Sequence, residues 1–62
     1  MRDRTEEIEL DVSLRFRRDD SGRSHIFTVT DKVGITYLGA IPTVNEDAFL
    51  DDFKHDWYRE HY

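Results

Sequence analysis

The sequence predicts an α+β domain in which a three-stranded antiparallel β-meander is covered on one face by a single C-terminal amphipathic helix. Residues 7–17 alternate strictly between apolar and polar side chains. Residues 24–30 and 35–41 are rich in β-branched and aromatic side chains, and residues 46–60 carry apolar side chains at helical spacing. Alternation of period two is typical of a strand, whereas a return to one face every three or four residues is typical of a helix. The predicted order is therefore βββα, in one domain of residues 7–62.

The first predicted strand is residues 7–17, which is long against the usual strand of about 5–6 residues. The six residues before it, MRDRTE, are polar and charged, and we expect this N-terminus to be flexible. One helix covers only part of so long a strand, so we expect a homodimer or another partner to cover the end near Ile8 and Leu10. The apolar face of this strand consists of Ile8, Leu10, Val12, Leu14 and Phe16.

The second predicted strand, residues 24–30, follows a turn whose Asp, Ser and Gly residues favour tight backbone geometry. Pairing Leu14 with Phe27 leaves a four-residue hairpin loop at 19–22, which agrees with the turn signal. This register predicts that Phe27 and Val29 point into the core. The opposite, outward set is Ser24, Ile26, Thr28 and Thr30.

The third predicted strand, residues 35–41, follows a second turn at 31–34 that ends in glycine. We expect its inner face to hold Ile35, Tyr37 and Ile41, and its outer face to hold Thr36, Leu38 and Ala40. Gly39 either allows the helix to approach the sheet closely or marks a β-bulge.

The helix is predicted to begin after Pro42 and to run to about Glu60. The residues Thr43, Val44, Asn45 and Glu46 fit a capping box, in which the first side chain caps the helix and the glutamate reaches back to it. Acidic residues in the first turn also suit the helix dipole. One stripe of the helix is apolar and faces the sheet; it consists of Ala48, Phe49, Leu50, Phe53 and Trp57.

Composition limits the classes of partner and compartment. The 62 residues include 14 acidic and 9 basic side chains and have a net charge of −5, which disfavours non-specific binding to nucleic acid or anionic membranes. No cysteine is present, so disulfides and thiolate zinc sites are excluded. The N-terminus does not resemble a signal peptide, and no stretch approaches the roughly 18–20 apolar residues of a membrane helix. We expect a soluble, cytoplasmic protein with no membrane association.

Residue types that carry chemistry do not form a recognisable motif. The sequence contains no catalytic-triad signature, phosphate-binding glycine loop or zinc motif. Asp51 and His55 lie one helical turn apart, but this spacing is typical of a solvated side-chain pair. His25 is interpreted as a partly buried residue at a strand edge. The sequence therefore predicts no catalytic residues, no cofactor, no metal site and no enzyme activity.

Two surfaces are candidates for binding a protein. A flat contact surface on the outer sheet face would have apolar residues at its centre and arginines at its rim. An acidic helix face would meet a basic partner surface, as in a small inhibitor or regulator that occupies a binding groove. The predicted partner-binding residues are Ser13, Arg15, Arg17, Ile26, Thr28 and Leu38 on the sheet, and Asp47, Asp51, Asp52 and Asp56 on the helix.

The alternative is a nucleic-acid-binding domain. The βββα order, with LGAIPT leading into an acidic helix, is similar to plant AP2-type and integrase arm-type DNA-binding domains between about Leu14 and Trp57. The similarity implies a sheet laid in the major groove, with Arg15, Arg17 and Arg23 contacting DNA. It is a likeness of element order, and we do not assign the chain to either family on it.

Overall fold

The fold is a four-stranded antiparallel sheet followed by one helix, in a computed structural model that describes residues 3–61. The predicted class, an antiparallel α+β domain with one C-terminal helix, is confirmed, but the prediction of three strands is wrong. The strands follow one another in the sheet in chain order. The elements are β1 (Asp3–Glu9), β2 (Val12–Arg18), β3 (Arg23–Thr30), β4 (Gly34–Pro42), a 3₁₀ turn (Thr43–Asn45) and α1 (Glu46–His61).

The extra strand arises because the long alternating stretch turns back on itself at Leu10 and Asp11. Glu9 pairs with Val12 across a two-residue turn, after a bulge in β1, so Ile8 and Val12 are buried side by side while Leu10 is 88% exposed. A two-residue turn alone would exchange the even and odd sets, but the extra residue of the bulge restores them, so alternation continues through this hairpin. Residues 3–6, which were expected to be flexible, belong to β1, whereas residues 1 and 2 lie outside the described range. Ile8 is covered within the chain, so the expectation that this end needs a partner was wrong for Ile8, whereas Leu10 is exposed at the turn.

The pairing of β2 with β3 differs from the prediction by one residue. Leu14 lies opposite Thr28, not Phe27. Arg18 pairs with Ser24, so five residues lie between the last paired positions instead of the predicted four, and the Asp19 amide donates a 2.9 Å hydrogen bond to the Arg23 carbonyl. Because side chains alternate, a shift of one residue exchanges the two faces of a strand. Ile26, predicted to face outward, is therefore buried with 1% exposure, and the opposite side chains of β3 face away from the helix.

A β-bulge changes the parity of β4. Gly39 pairs with Ile26 and Tyr37 pairs with Phe27, which leaves Leu38 as the extra residue. Gly39 has φ of 145°, a conformation that side-chain-bearing residues rarely adopt. The bulge, one of the two roles considered for Gly39, is confirmed. It places Tyr37 on the outer face, so the prediction that Tyr37 and Ile35 are core residues was wrong.

The core lies between one face of the sheet and α1. Phe49 of the helix meets Phe16 edge to face, with ring centroids 6.3 Å apart. At the other end of the helix, the Tyr58 hydroxyl donates a 2.8 Å hydrogen bond to the Ile8 carbonyl. The buried apolar residues are Ile8, Val12, Leu14, Phe16, Ile26 and Leu50, and Ile41, Phe49, Phe53 and Trp57 pack against them. The predicted core members that do not belong to this cluster are Leu10, Phe27, Val29, Ile35 and Tyr37.

Candidate binding surface

The sheet face opposite α1 is open, and we call it the outer face. Its side chains follow three cross-strand rows, because directly paired residues of neighbouring strands point the same way. The middle row runs from Thr5 through Arg15 and Phe27 to Tyr37. The flanking rows are Asp3, Arg17, His25 and Ala40 on one side, and Glu7, Ser13, Val29 and Ile35 on the other.

The β3–β4 half of the outer face is apolar and aromatic. Tyr37 is 55% exposed and Ile35 is 63% exposed. Phe27 and Val29 are half-buried beside them, and the rings of Phe27 and Tyr37 lie 5.2 Å apart. Large apolar side chains that are contiguous and exposed are uncommon on a monomeric protein and indicate an interaction site. We call these four residues the apolar patch.

The β1–β2 half of the outer face is charged. Arg15 and Arg17 project from β2 and are exposed. The edge strand β1 adds two acids to this face, Asp3 opposite Arg17 and Glu7 opposite Ser13. Among residues 3–61, neither arginine forms an ion pair. Their guanidinium groups are therefore available to a carboxylate, a phosphate or an aromatic ring of a partner.

A chain of hydrogen bonds fixes the orientation of Tyr37 in the apolar patch. His25 Nδ1 lies 3.2 Å from the Tyr37 hydroxyl, and His25 Nε2 lies 3.0 Å from Asp19 Oδ2. A carboxylate only accepts hydrogen bonds, so His25 donates from Nε2 to Asp19. The Ser21 hydroxyl, the Arg23 amide and His25 hold the pKa of the Asp19 carboxyl well below its usual range. Tyr37 is thereby held in one orientation, which lowers the entropy lost when it is covered.

Only part of this surface was predicted from the sequence. Ser13, Arg15 and Arg17 lie on the outer face where they were predicted. The prediction that Ile26 and Thr28 share that face was wrong, because the register shift places both on the helix side. Leu38 is the bulge residue and is exposed. Five outer-face residues were predicted to lie elsewhere: His25, Phe27, Val29, Ile35 and Tyr37.

Helix α1 is held on the opposite face by a buried carboxylate, Glu46, which is 2% exposed. Arg18 donates two hydrogen bonds to it, from Nε to Oε2 at 3.0 Å and from Nη2 to Oε1 at 2.8 Å. Arg4 Nη1 donates to Oε1 at 3.3 Å, and the Ser24 hydroxyl donates to Oε2. Three strands therefore converge on the first residue of the helix and fix its approach to the sheet.

These contacts replace the predicted capping box. Glu46 does not reach back to Thr43, and the 3₁₀ turn that precedes α1 has no side-chain cap. The Thr43 hydroxyl instead lies 3.0 Å from the Ser24 hydroxyl. Hydrogen bonds from Arg18, Ser24 and Arg4 lower the pKa of Glu46 to about 2, and Arg18 contributes most. Burial acts in the opposite direction and raises this pKa, but its effect is smaller than that of the hydrogen bonds together. The carboxylate is therefore charged at neutral pH.

Some acids of the helix face form ion pairs with arginines of the same chain. Asp47 forms an ion pair with Arg4 at 2.8 Å, and Asp56 forms one with Arg59 at 3.1 Å. Asp51 and Asp52 are exposed, and neither has a partner among the described residues. These two acids are the part of the helix face that remains available to a basic partner.

Comparisons with models of known protein families, with curated proteins and with solved structures find no match to this chain. Within residues 3–61, no helix has the length and apolar character needed to cross a membrane. The fold and the site define a class only: a small α+β protein with one helix-covered sheet face and one open face. The four-stranded sheet departs from the three-stranded order on which the likeness to AP2-type domains depended.

Proposed function

We propose that the chain is a small, non-enzymatic, cytoplasmic module that regulates or inhibits a partner protein by binding it through the outer face. The observation that carries the proposal is the apolar patch, which lies on the side of the sheet that the helix leaves open. Covering an exposed apolar side chain is favourable by about 25 cal/mol for each Å² removed from water. A partner with an apolar surface of similar shape gains this contribution on binding.

The composition of the outer face suits a protein interface. Aromatic residues and arginine are enriched at the centre of such interfaces, and a few of them supply most of the binding energy. Tyr37 has the properties of such a residue, because it is large, exposed and fixed in orientation by His25. Arg15 and Arg17, at the side of the apolar patch, supply charged contacts that orient the partner.

The acidic helix face is a second contact in this proposal. Asp51 and Asp52 lie on α1 and therefore on the side of the domain away from the outer face. A basic partner surface would pair with them while the outer face remains occupied. Such exposed pairs contribute little affinity each but raise the rate of encounter.

Nucleic acid is the second candidate, and one row of the sheet favours it. Arg15, Phe27 and Tyr37 lie side by side across three strands. Bases of a single strand stack on exposed aromatic rings, and arginine contacts the phosphates between them. The two outer-face acids of β1, Asp3 and Glu7, and the net charge of −5 oppose this candidate, because they repel the phosphate backbone.

A capture experiment with a matched pair of variants tests the proposal. Tagged wild type, Tyr37→Ser and Val44→Ser are incubated with native lysate, with and without nuclease. Val44 is more exposed than Tyr37 but lies in the 3₁₀ turn, outside the outer face. The proposal expects a protein that survives nuclease and high salt, is retained by Val44→Ser and is lost with Tyr37→Ser.

Two results would contradict the proposal. A partner retained equally by all three proteins would show that the outer face is not the binding surface. Recovery of nucleic acid, with every protein lost after nuclease and binding that weakens steeply with salt, would favour the second candidate.

A further inference from the structure

We propose that the partner binds as an extended segment, which pairs with the backbone of β4 and adds a fifth strand to the sheet. This inference rests on the proposed function, because it names the conformation and chemistry of the protein segment that covers the apolar patch. Strand β4 lies at the end of the sheet and pairs only with β3 among residues 3–61. We call its other side the free edge. Addition of a strand at such an edge is a recurring mode of peptide recognition.

The apolar patch extends to the free edge. Its two most exposed members, Ile35 and Tyr37, belong to β4 itself. An edge strand directs a row of backbone N–H and C=O groups away from the sheet, and a partner that covers these two side chains also removes water from that row. The loss of water costs free energy unless the partner supplies hydrogen bonds. An extended backbone supplies them in a continuous ladder, so the segment satisfies the polar groups that it covers.

The two edges of the sheet differ in their protection against strand addition. Proteins commonly guard an edge strand with charged side chains, since a charge opposes the approach of another strand. Five of the seven residues of β1 are charged, whereas none of the nine residues of β4 is. The bulge at Leu38 divides β4, and the half before it, residues 34–37, is the more exposed. The contrast indicates that β4, and not β1, is the edge open to another strand.

Both faces of this half of β4 are exposed. The apolar patch lies on the outer face, and Thr36 is exposed on the helix side. Leu38 is 45% exposed at the bulge, and Val33, just before β4, shares a surface cavity of about 390 Å³ with Trp57 of α1. An added strand therefore finds apolar surface on both faces. We expect a partner segment of roughly four to six uncharged residues that are apolar or β-branched at both parities and include no proline.

A peptide selection tests the proposal. A display library of random ten-residue peptides is selected against the full chain, and the tightest binder, made synthetically, is the probe in the measurements that follow. We expect the selected sequences to share an uncharged run of apolar and β-branched residues, and the probe to bind with a dissociation constant below about 100 μM in fluorescence anisotropy. A selection that yields no binder below about 100 μM, or only binders without such a run, overturns the proposal.

Two threonine variants compare the two edges directly. Thr36 lies on β4 and Thr5 on β1, and both are exposed. Lysine on an edge strand opposes addition of another strand, and both substitutions change the net charge by the same amount. Thr36→Lys should raise the dissociation constant of the probe at least tenfold, whereas Thr5→Lys should change it less than twofold, while circular dichroism shows the same fold. Equal effects of the two variants would overturn the proposal.

Amide exchange of the wild type gives a test that needs no variant. In an edge strand, alternate amides point to the neighbouring strand and the others point to solvent. Saturation with the probe should slow exchange of the solvent-facing amides of residues 34–37 at least tenfold, as measured by NMR, and leave those of β1 unchanged. A probe that binds without slowing them lies on another surface, and this result would contradict strand addition.

Thr36→Lys also separates strand addition from the proposed function, because Thr36 lies outside the apolar patch. In the capture experiment, a partner lost with Tyr37→Ser but retained by Thr36→Lys would overturn strand addition and leave the proposed function standing. Loss with both variants is the expected result. Failure of both the capture and the peptide selection would overturn both proposals. Self-association of the wild type that Thr36→Lys abolishes would show that β4 pairs with a second copy, and would overturn the proposal of a separate partner.

Discussion

Replacing Glu46 with glutamine removes the charge on which three strands converge. Glutamine keeps the size of the side chain, so the change isolates the carboxylate from its volume. Arg18 would lose a two-point charged contact, and the hydroxyl of Ser24 would lose its anionic acceptor. Breaking a buried ion pair by removing one partner destabilises a protein by about 3–5 kcal/mol.

The lowered pKa of Glu46 expresses the same contacts as a free energy. Its value falls from 4.5 to about 2 in the folded protein. Each unit corresponds to 1.36 kcal/mol, so the charged group stabilises the fold by about 3 kcal/mol. Because the folded pKa lies below the unfolded one, the unfolded chain binds the proton more tightly. This stability is present above about pH 4.5 and is lost as the pH falls toward 2.

Urea unfolding followed by circular dichroism at several pH values between 2 and 7 measures the effect. A chain of this length has a free energy of unfolding of about 3–9 kcal/mol, so Glu46→Gln should remove a large share of it at pH 7. The difference between wild type and variant should shrink as the pH falls from 4.5 to 2. Asp47→Asn is the matched control, because this neighbouring acid also pairs with Arg4 but is 85% exposed at its side chain. It should cost about 1 kcal/mol or less.

Two results would refute the reasoning about Glu46. Equal losses for Glu46→Gln and Asp47→Asn at pH 7 would show that burial of the carboxylate does not strengthen its contacts. A difference between wild type and Glu46→Gln that stays constant from pH 5 to 2 would show that its pKa is not lowered by folding.

Two further predictions test the backbone that separates the two faces. Ile26→Ala should destabilise the protein by about 2–5 kcal/mol, because it leaves a cavity in the core. Phe27→Ala should cost only about 1 kcal/mol. The opposite order of the two losses in chemical denaturation would support the register predicted from sequence. Gly39→Ala should cost about 2–3 kcal/mol at φ of 145°, more than the roughly 1 kcal/mol expected for Gly22→Ala at φ of 83°. Equal thermal shifts for the two glycine variants would argue against strain at the bulge.

The class of fold could be predicted from sequence because its signals are local. Hydrophobic period, turn residues and the helical stripe each depend on a short stretch of chain, and they located β3, β4 and α1 within a few residues. The turn at Leu10 and Asp11 carries no glycine, proline or break in alternation. A two-residue hairpin with a bulge beside it keeps the alternation of one continuous strand, so the fourth strand was not visible.

The candidate surface could be predicted only in part, because it depends on register. Arg15 and Arg17 were located correctly, since β2 is polar on one face and apolar on the other. Strand β3 carries apolar residues on both faces, so its pattern does not show which face is buried. The prediction that Phe27 and not Ile26 points into the core rested on a four-residue connection between paired positions, which is one residue shorter than the real one. The contacts of Glu46 were not predictable either, because Arg18 and Ser24 are brought to it only by the tertiary fold.

The ambiguity of β3 and β4 is itself evidence about the outer face. Strands that are half solvated read as alternating apolar and polar residues, as β2 does, whereas strands covered on both faces read as nearly continuous apolar runs. The runs HIFTVT and ITYLGAI carry apolar side chains at both parities. Helix α1 covers the apolar residues of one face, which include Ile26 and Ile41. The apolar residues of the other face form the apolar patch, and this is why we propose that a partner covers it.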